Sequence, residues 1–150
     1  MFIAPLLSLA ALASPSVEGA TDARLALVRA FSAREQSSPC GTLDALTSDP
    51  VADLTWVVET VTSPPWVGMR AAECLITQHA EESRALLEIW VTHPEHKGLG
   101  WLVLDHLDAL PQPMARDLAL AAVSRGPDPA GARRRISRSK VPVVQAVGAE

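Results

Sequence analysis

The chain has 150 residues, 48% of them hydrophobic, which is enough for one continuous core and too short for two confident domains. Aromatic residues make up only 4% and tyrosine is absent, while alanine and leucine are abundant, so the composition disfavours a β-sheet and predicts an all-α fold. The formal net charge of −4 gives the body of the chain an acidic balance, which disfavours nucleic acid as a general partner. Only Lys97 and Lys140 are lysines, and such a preference for arginine indicates a GC-rich bacterial genome.

Residues 1–20 predict a signal peptide followed by a short linker. Phe2 to Ala13 carry no charge, and Ala11-Leu12-Ala13 has the small-x-small pattern of a signal peptidase site, so we expect cleavage near Ala13 and export to the periplasm or cell envelope. A first helix of the folded domain is one alternative, which Pro5 and the lack of a polar face disfavour. A retained anchor is another, but a membrane-spanning helix needs about 20 apolar residues. Without export, the protein would be cytoplasmic.

Helices separated by proline-rich turns are predicted along residues 21–150. Polar residues precede several of them as N-caps, and prolines interrupt the chain between them. The predicted helices are 21–33, 40–46, one that opens at Pro50, one that opens at Pro65, 81–92, 99–110, 114–124 and 129–139. The apolar tail 141–150 is expected to cover the open end of the helical stack.

One sequence pattern occurs three times between residues 40 and 140. Segment 65–75 aligns with 97–107 and 129–139, and a period of about 32 residues is typical of stacked helical pairs. The same offset superimposes three sets of apolar residues, which we expect to face the core: Leu54, Leu86 and Leu118; Val57, Ile89 and Ala121; Leu75 and Leu107. Because one such unit cannot bury its apolar face alone, the repeats predict a short α-solenoid.

The segment Pro65 to Leu75 resembles the first-helix signature of HEAT-like (armadillo-type) repeats. It has turn prolines followed by Val-x-x-Arg-Ala-Ala-x-x-Leu, with Arg70 as the arginine, and Asp128-Pro129 with Arg134 resembles a degenerate third copy. The middle copy has Lys97 in place of the proline and Leu102 in place of the arginine. The resemblance implies a right-handed superhelix of antiparallel helix pairs with a concave binding surface, and it transfers no catalytic residue.

The two cysteines, Cys40 and Cys74, lie about one repeat apart in the sequence. Corresponding helices of neighbouring repeats would bring them together, and an exported protein with an even number of cysteines favours a disulfide. Closing a loop of this length would contribute about 3–4 kcal/mol in the chain-entropy model. The alternative is that both are buried thiols that act as small apolar residues.

Evidence for catalysis or for a metal site is weak in this sequence. His93-Pro94-Glu95-His96 places two imidazoles and a carboxylate close together, with His79 or His106 as a further ligand, but turn residues are commonly polar and no pair of histidines has i, i+4 spacing. The sequence contains no nucleophile elbow, phosphate loop, zinc-protease motif or Cys-x-x-Cys motif. We therefore expect no enzyme activity, metal or cofactor.

Positive charge is concentrated near the end of the chain, in Arg133, Arg134, Arg135, Arg138 and Lys140. These five residues carry +5, whereas the rest of the chain carries −9. A single cluster on an acidic body is a poor footprint for nucleic acid, so a solvated last helix or contact with an acidic surface, the protein's own or a membrane's, is favoured over nucleic acid. We name the five as possible partner-binding residues.

The four tryptophans are expected mainly to fill the core between repeats, although one could anchor a partner. Taken together, these patterns predict a non-catalytic exported scaffold that binds a protein or another macromolecule. A cytoplasmic HEAT-like module that binds nucleic acid or assists an enzyme is the alternative.

Overall fold

The computed structural model describes residues 19–33 and 39–149. Within these ranges the chain forms eight α-helices and no strand, in agreement with the predicted all-α class. The α-helices are α1 Asp22–Ser32, α2 Pro50–Thr60, α3 Pro65–Gln78, α4 Arg84–Thr92, α5 Lys97–Asp105, α6 Gln112–Arg125, α7 Pro129–Ile136 and α8 Pro142–Ala149. Short 3-10 helices span Pro39–Ala45, Pro94–His96 and Leu107–Ala109.

Side-chain caps fix the starts of three helices at residues that the sequence marks. The Thr21 hydroxyl accepts the backbone N–H of Arg24 at the start of α1. The carboxylates of Asp49 and Asp128 accept the N–H groups three residues later, at 3.2 and 2.8 Å, and each is followed by proline at the first helical position. Such caps satisfy otherwise orphaned donors, and proline there has no N–H to leave unpaired.

Three helices begin at the repeat positions. Helices α3, α5 and α7 start at Pro65, Lys97 and Pro129, which are the aligned first residues of the three sequence copies. The predicted boundaries differ mainly in the middle copy, where α5 ends at Asp105 and a 3-10 helix, Leu107–Ala109, continues the segment. Gly98 and Gly100 lie inside α5, and the chain leaves the α-helix before the predicted end at residue 110.

Helix packing follows the order of the chain. The most extensive contacts join α2 to α3, α4 to α5, and α6 to both α7 and α8. Alternate helices also touch, with α3 against α5, α5 against α7, and α4 against α6. The extensive contacts thus join helices one or two positions apart in chain order.

The buried core contains most of the recurring apolar residues. Leu54, Leu75, Leu107 and Leu118 are buried, as predicted. For the middle repeat copy the predicted buried positions are wrong by one residue: Leu86 is only partly buried and Ile89 is 42% exposed.

The one-residue difference in the middle copy reflects the orientation of α4 about its axis. This helix buries Leu87, Trp90 and Val91 in the core in place of Leu86 and Ile89. A one-residue change in register rotates a helix by about 100°. The buried face of α4 is thus displaced by one residue from the faces of α2 and α6, which bury Leu54 and Leu118 at the repeat positions.

Both ends of the described chain are tied to their neighbours. Arg70 of α3 donates to the carbonyls of Phe31 and Ala33, at 2.8 and 2.5 Å, which caps the C-terminal end of α1. At the other end, α8 buries Val144 and Val147 and packs against α6 and α7, so the apolar tail covers these two helices.

The predicted signal peptide and its cleavage site at Ala13 fall outside the described residues, except for the two last positions of the linker. Among the described residues, no helix has both the length and the apolar character needed to cross a membrane.

Candidate functional site: a cationic groove between α5 and α7

The predicted basic cluster occupies α7 and the turn after it, but its members are not equivalent. Arg133 is partly buried, Arg135 is partly buried against α5, and Arg134, Arg138 and Lys140 are exposed. Only Arg134, Arg135 and Arg138 line a groove between α5 and α7. We call this the α5–α7 groove and define it by Lys97, Trp101, Asp128, Arg134, Arg135 and Arg138.

Trp101 lines the groove, and two cationic side chains lie over its indole ring. The ammonium of Lys97 lies 5.4 Å from the ring centroid, and the guanidinium carbon of Arg135 lies 4.7 Å from it. Both distances are within the range of a cation–π interaction. The indole therefore holds two positive side chains in place, one from each helix.

A close approach of backbone to the indole keeps Trp101 in position. Gly131 lies in the first turn of α7, and a Cβ atom there would meet the Cη2 atom of Trp101 at 2.7 Å and the Asp128 carboxylate at 2.6 Å. No side chain fits at this point, so glycine permits the contact between α7 and the tryptophan.

Asp128 connects the two helices at one end of the groove. Its carboxylate accepts the Gly131 N–H and lies 3.4 Å from the Lys97 ammonium. The hydrogen bond from Gly131, together with the charge of Lys97, lowers the pKa of Asp128 below its ordinary value of 3.8. The carboxylate is thus charged at neutral pH and balances Lys97.

Two further carboxylates lie beside the groove, in a cavity that shares Arg135 and Arg138 with it. Asp105 of α5 accepts a hydrogen bond from Arg135 in an ion pair. Asp108 accepts hydrogen bonds from the Ser139 hydroxyl and from the Lys140 backbone N–H, and these bonds lower its pKa from 3.8. Lys140 is therefore joined to the fold through its backbone, and its side chain does not line the groove.

Arg134 and Arg138 are the unpaired cations of the groove. Neither forms an ion pair with any residue in 19–33 or 39–149, whereas Lys97 and Arg135 each have a carboxylate partner. Arg134 lies on α7 and Arg138 in the turn that follows this helix, and both side chains line the groove. The groove can supply positive charge and hydrogen-bond donors to an anionic group.

The histidines considered as metal ligands do not come together in the structure. In the part of the chain that the structure describes, no group of three or more His, Cys, Asp or Glu side chains could hold a metal. The His93 ring contacts the Thr92 hydroxyl and the Ile89 carbonyl beside it, and His106 lies 3.5 Å from the Glu73 carboxylate.

The predicted disulfide between the two cysteines is present in the structure. The structure joins Cys40, in the 3-10 helix Pro39–Ala45, to the buried Cys74 of α3, with the two Cα atoms 5.3 Å apart. This Cα separation is within the usual range for a disulfide. Its position is structural, because it fixes the segment before α2 onto α3 and lies outside the groove.

Three groove residues, Lys97, Trp101 and Asp128, were not among the binding residues predicted from the sequence. In the repeat alignment Lys97 and Trp101 coincide with Pro129 and Arg133, so the middle copy supplies a cation and an aromatic ring where the last copy supplies other residues. The departure of Lys97 from the repeat pattern was the available signal. Trp90, by contrast, is 2% exposed and fills the core, as most tryptophans were expected to do.

Comparison with protein-family models, with curated proteins and with solved structures returns no match for this chain.

Proposed function

We propose that this protein is a non-catalytic, exported helical-repeat scaffold that binds a macromolecular partner through the α5–α7 groove. The fold part of the proposal is a short HEAT-like solenoid of antiparallel helix pairs. It is supported by the equal spacing of Pro65, Lys97 and Pro129 at the starts of α3, α5 and α7, and by packing between helices one or two positions apart.

The observation that carries the binding role is the pair of exposed, unpaired arginines beside a fixed aromatic ring. Arginine and tryptophan are enriched at the energetic centres of protein interfaces. Lys97, Trp101 and Arg135 are held by contacts within the fold, so little conformational entropy would be lost when a partner binds them. Arg134 and Arg138 then supply the charge that is left for the partner.

Export is supported by the cysteine pair together with the apolar N-terminal sequence. Structural disulfides persist in oxidising compartments such as the periplasm and are rare in the bacterial cytosol. Cys74 is fully buried, and the bridge fastens the Pro39–Ala45 segment to the core of the fold.

Affinity capture from native cell extracts tests the scaffold role. The tagged wild-type chain and an Arg134→Gln/Arg138→Gln variant are immobilised at equal density, and retained macromolecules are compared in buffers of moderate salt. We expect a specific partner on the wild type and at least a tenfold lower yield on the variant. Equal retention on both chains, or no retained macromolecule, would contradict the proposal.

A further inference from the structure

We propose that the α5–α7 groove recognises an acidic peptide segment, with two carboxylates that bind Arg134 and Arg138. This inference rests on the proposed scaffold function and names the chemistry of its partner. Its starting point is that the two arginines line one groove, because neighbouring like charges repel each other. An anionic ligand between or over them would remove that repulsion.

The placement of the arginines suits two separate carboxylates. Arg134 lies on α7 and Arg138 in the turn after it, and both long side chains line the same groove. In an extended peptide, alternate residues point to the same side and lie roughly 6–7 Å apart. Two acidic residues at alternate positions would thus reach both guanidinium groups, each of which can hold a carboxylate through two parallel hydrogen bonds.

The charge of the groove also favours a ligand with few, separated negative charges. Of its four cations, Lys97 and Arg135 are already paired with the carboxylates of Asp128 and Asp105. Asp105 and Asp108 also line a neighbouring cavity together with Arg138, so the positive charge left for a ligand is small, and the three aspartates would repel a continuous phosphate backbone. A peptide can also offer backbone N–H groups to such carboxylates, which a phosphate backbone cannot do.

Trp101 gives a second reason to prefer a peptide over single-stranded nucleic acid. Proteins that bind single strands use exposed aromatic faces on which bases stack. Here the indole is covered by the ammonium of Lys97 and the guanidinium of Arg135, at 5.4 and 4.7 Å from the ring centroid. It serves to position the two cations, and a base would have to displace them to stack.

Fluorescence anisotropy with a labelled peptide tests this inference. The probe has two glutamates at alternate positions, and the matched peptide has glutamines there. We expect the full-length protein to bind the glutamate peptide at least tenfold more tightly than the glutamine peptide at low salt. Arg134→Gln/Arg138→Gln should weaken binding of the glutamate peptide at least tenfold.

A control variant of equal charge separates the groove from general electrostatics. Arg29 and Arg116 are exposed on α1 and α6 and do not line the groove, so Arg29→Gln/Arg116→Gln should change the affinity less than twofold. Thermal melts of both variants check folding. The groove variant should melt close to wild type, since both arginines are exposed and neither forms an ion pair among the described residues.

Three results would overturn the acidic-peptide assignment. The first is equal binding of the two peptides, and the second is an equal loss of affinity in the control variant. The third is tighter binding of a single-stranded oligonucleotide of the same charge, with the same dependence on Arg134 and Arg138. If the glutamate peptide fails while the wild-type chain still captures a partner that the groove variant loses, the scaffold function stands and this choice of partner is wrong.

Discussion

The packing of α4 against α5 can be tested with two glycines of the same helix. Gly98 and Gly100 both lie within α5. A Cβ atom at Gly100 would lie 2.5 Å from the carbonyl oxygen of Trp90 and 3.3 Å from the Cα atom of Val91, which are backbone atoms of α4. A Cβ atom at Gly98 would have nothing within 4 Å. Alanine at the two positions should therefore have opposite effects on stability.

The magnitude follows from two contributions. Replacing glycine with alanine inside a helix stabilises it by roughly 0.5–1 kcal/mol, and both variants receive this gain. In Gly100→Ala the two helix backbones must also separate, because 2.5 Å is far below the 3.4 Å at which ordinary contacts begin. Overpacking of a core typically costs about 1–3 kcal/mol. We expect Gly98→Ala to raise the free energy of unfolding and Gly100→Ala to lower it.

Urea denaturation followed by far-ultraviolet circular dichroism measures the difference between the variants. The gap between the two should be about 1–3 kcal/mol, or about 2–12 °C in melting temperature for a domain of this size. If Gly100→Ala is as stable as Gly98→Ala, the close approach of α4 to α5 is wrong, and so is the position of Trp101 that depends on it.

Three further predictions concern the core and the two ends of the fold. Leu87→Ala should destabilise the protein by about 2–5 kcal/mol and Leu86→Ala by clearly less, since only Leu87 is fully buried. Equal losses of stability in urea denaturation would instead support the repeat prediction, which places Leu86 in the core. The lowered pKa of Asp108 means that its charged form stabilises the fold above the ordinary pKa of 3.8, and that this stability is lost as pH falls through the lowered pKa. The difference in stability between wild type and Asp108→Asn should therefore shrink as pH is lowered from about 6 to about 2, and a gap that stays constant would contradict the hydrogen-bonding role. Reduction of Cys40–Cys74 should lower the free energy of unfolding by about 3–4 kcal/mol, whereas a variant with serine at both positions should not respond to reductant.

Sequence reasoning located most helices because the signals for their ends are local. Asp49 and Asp128 cap helices by accepting nearby N–H groups, and the prolines after them set the first turn. Prolines also open α3 and α7, whereas α5 begins at Lys97 without a side-chain cap, so its start was indicated only by the repeat alignment. Local signals do not specify the rotation of a helix about its axis, because that rotation depends on the helices packed against it. In α4 the packing exposes Ile89 and buries Trp90.

The groove was only partly predictable for a related reason. The basic cluster was evident in the sequence, but which arginines remain unpaired depends on carboxylates about 30 residues away, as in the pair between Arg135 and Asp105. The inclusion of Trp101 depends on Gly131, whose lack of a side chain allows close contact between two helices. Such contacts exist only once α5 and α7 are packed together.

Helix α3 governs how the N-terminal part of the described chain can open. Arg70 and Cys74 are one turn apart on α3, and they hold the end of α1 and the Pro39–Ala45 segment respectively. Terminal elements ordinarily fray, with opening free energies far below that of global unfolding. Here the first helix and the bridged segment are fastened to the same turn of a central helix, so under oxidising conditions their amide hydrogens should exchange through larger, shared openings. The C-terminal end is held by α8 and by the hydrogen bonds to Asp108. A reductant should therefore loosen the N-terminal end first, and acid the C-terminal end.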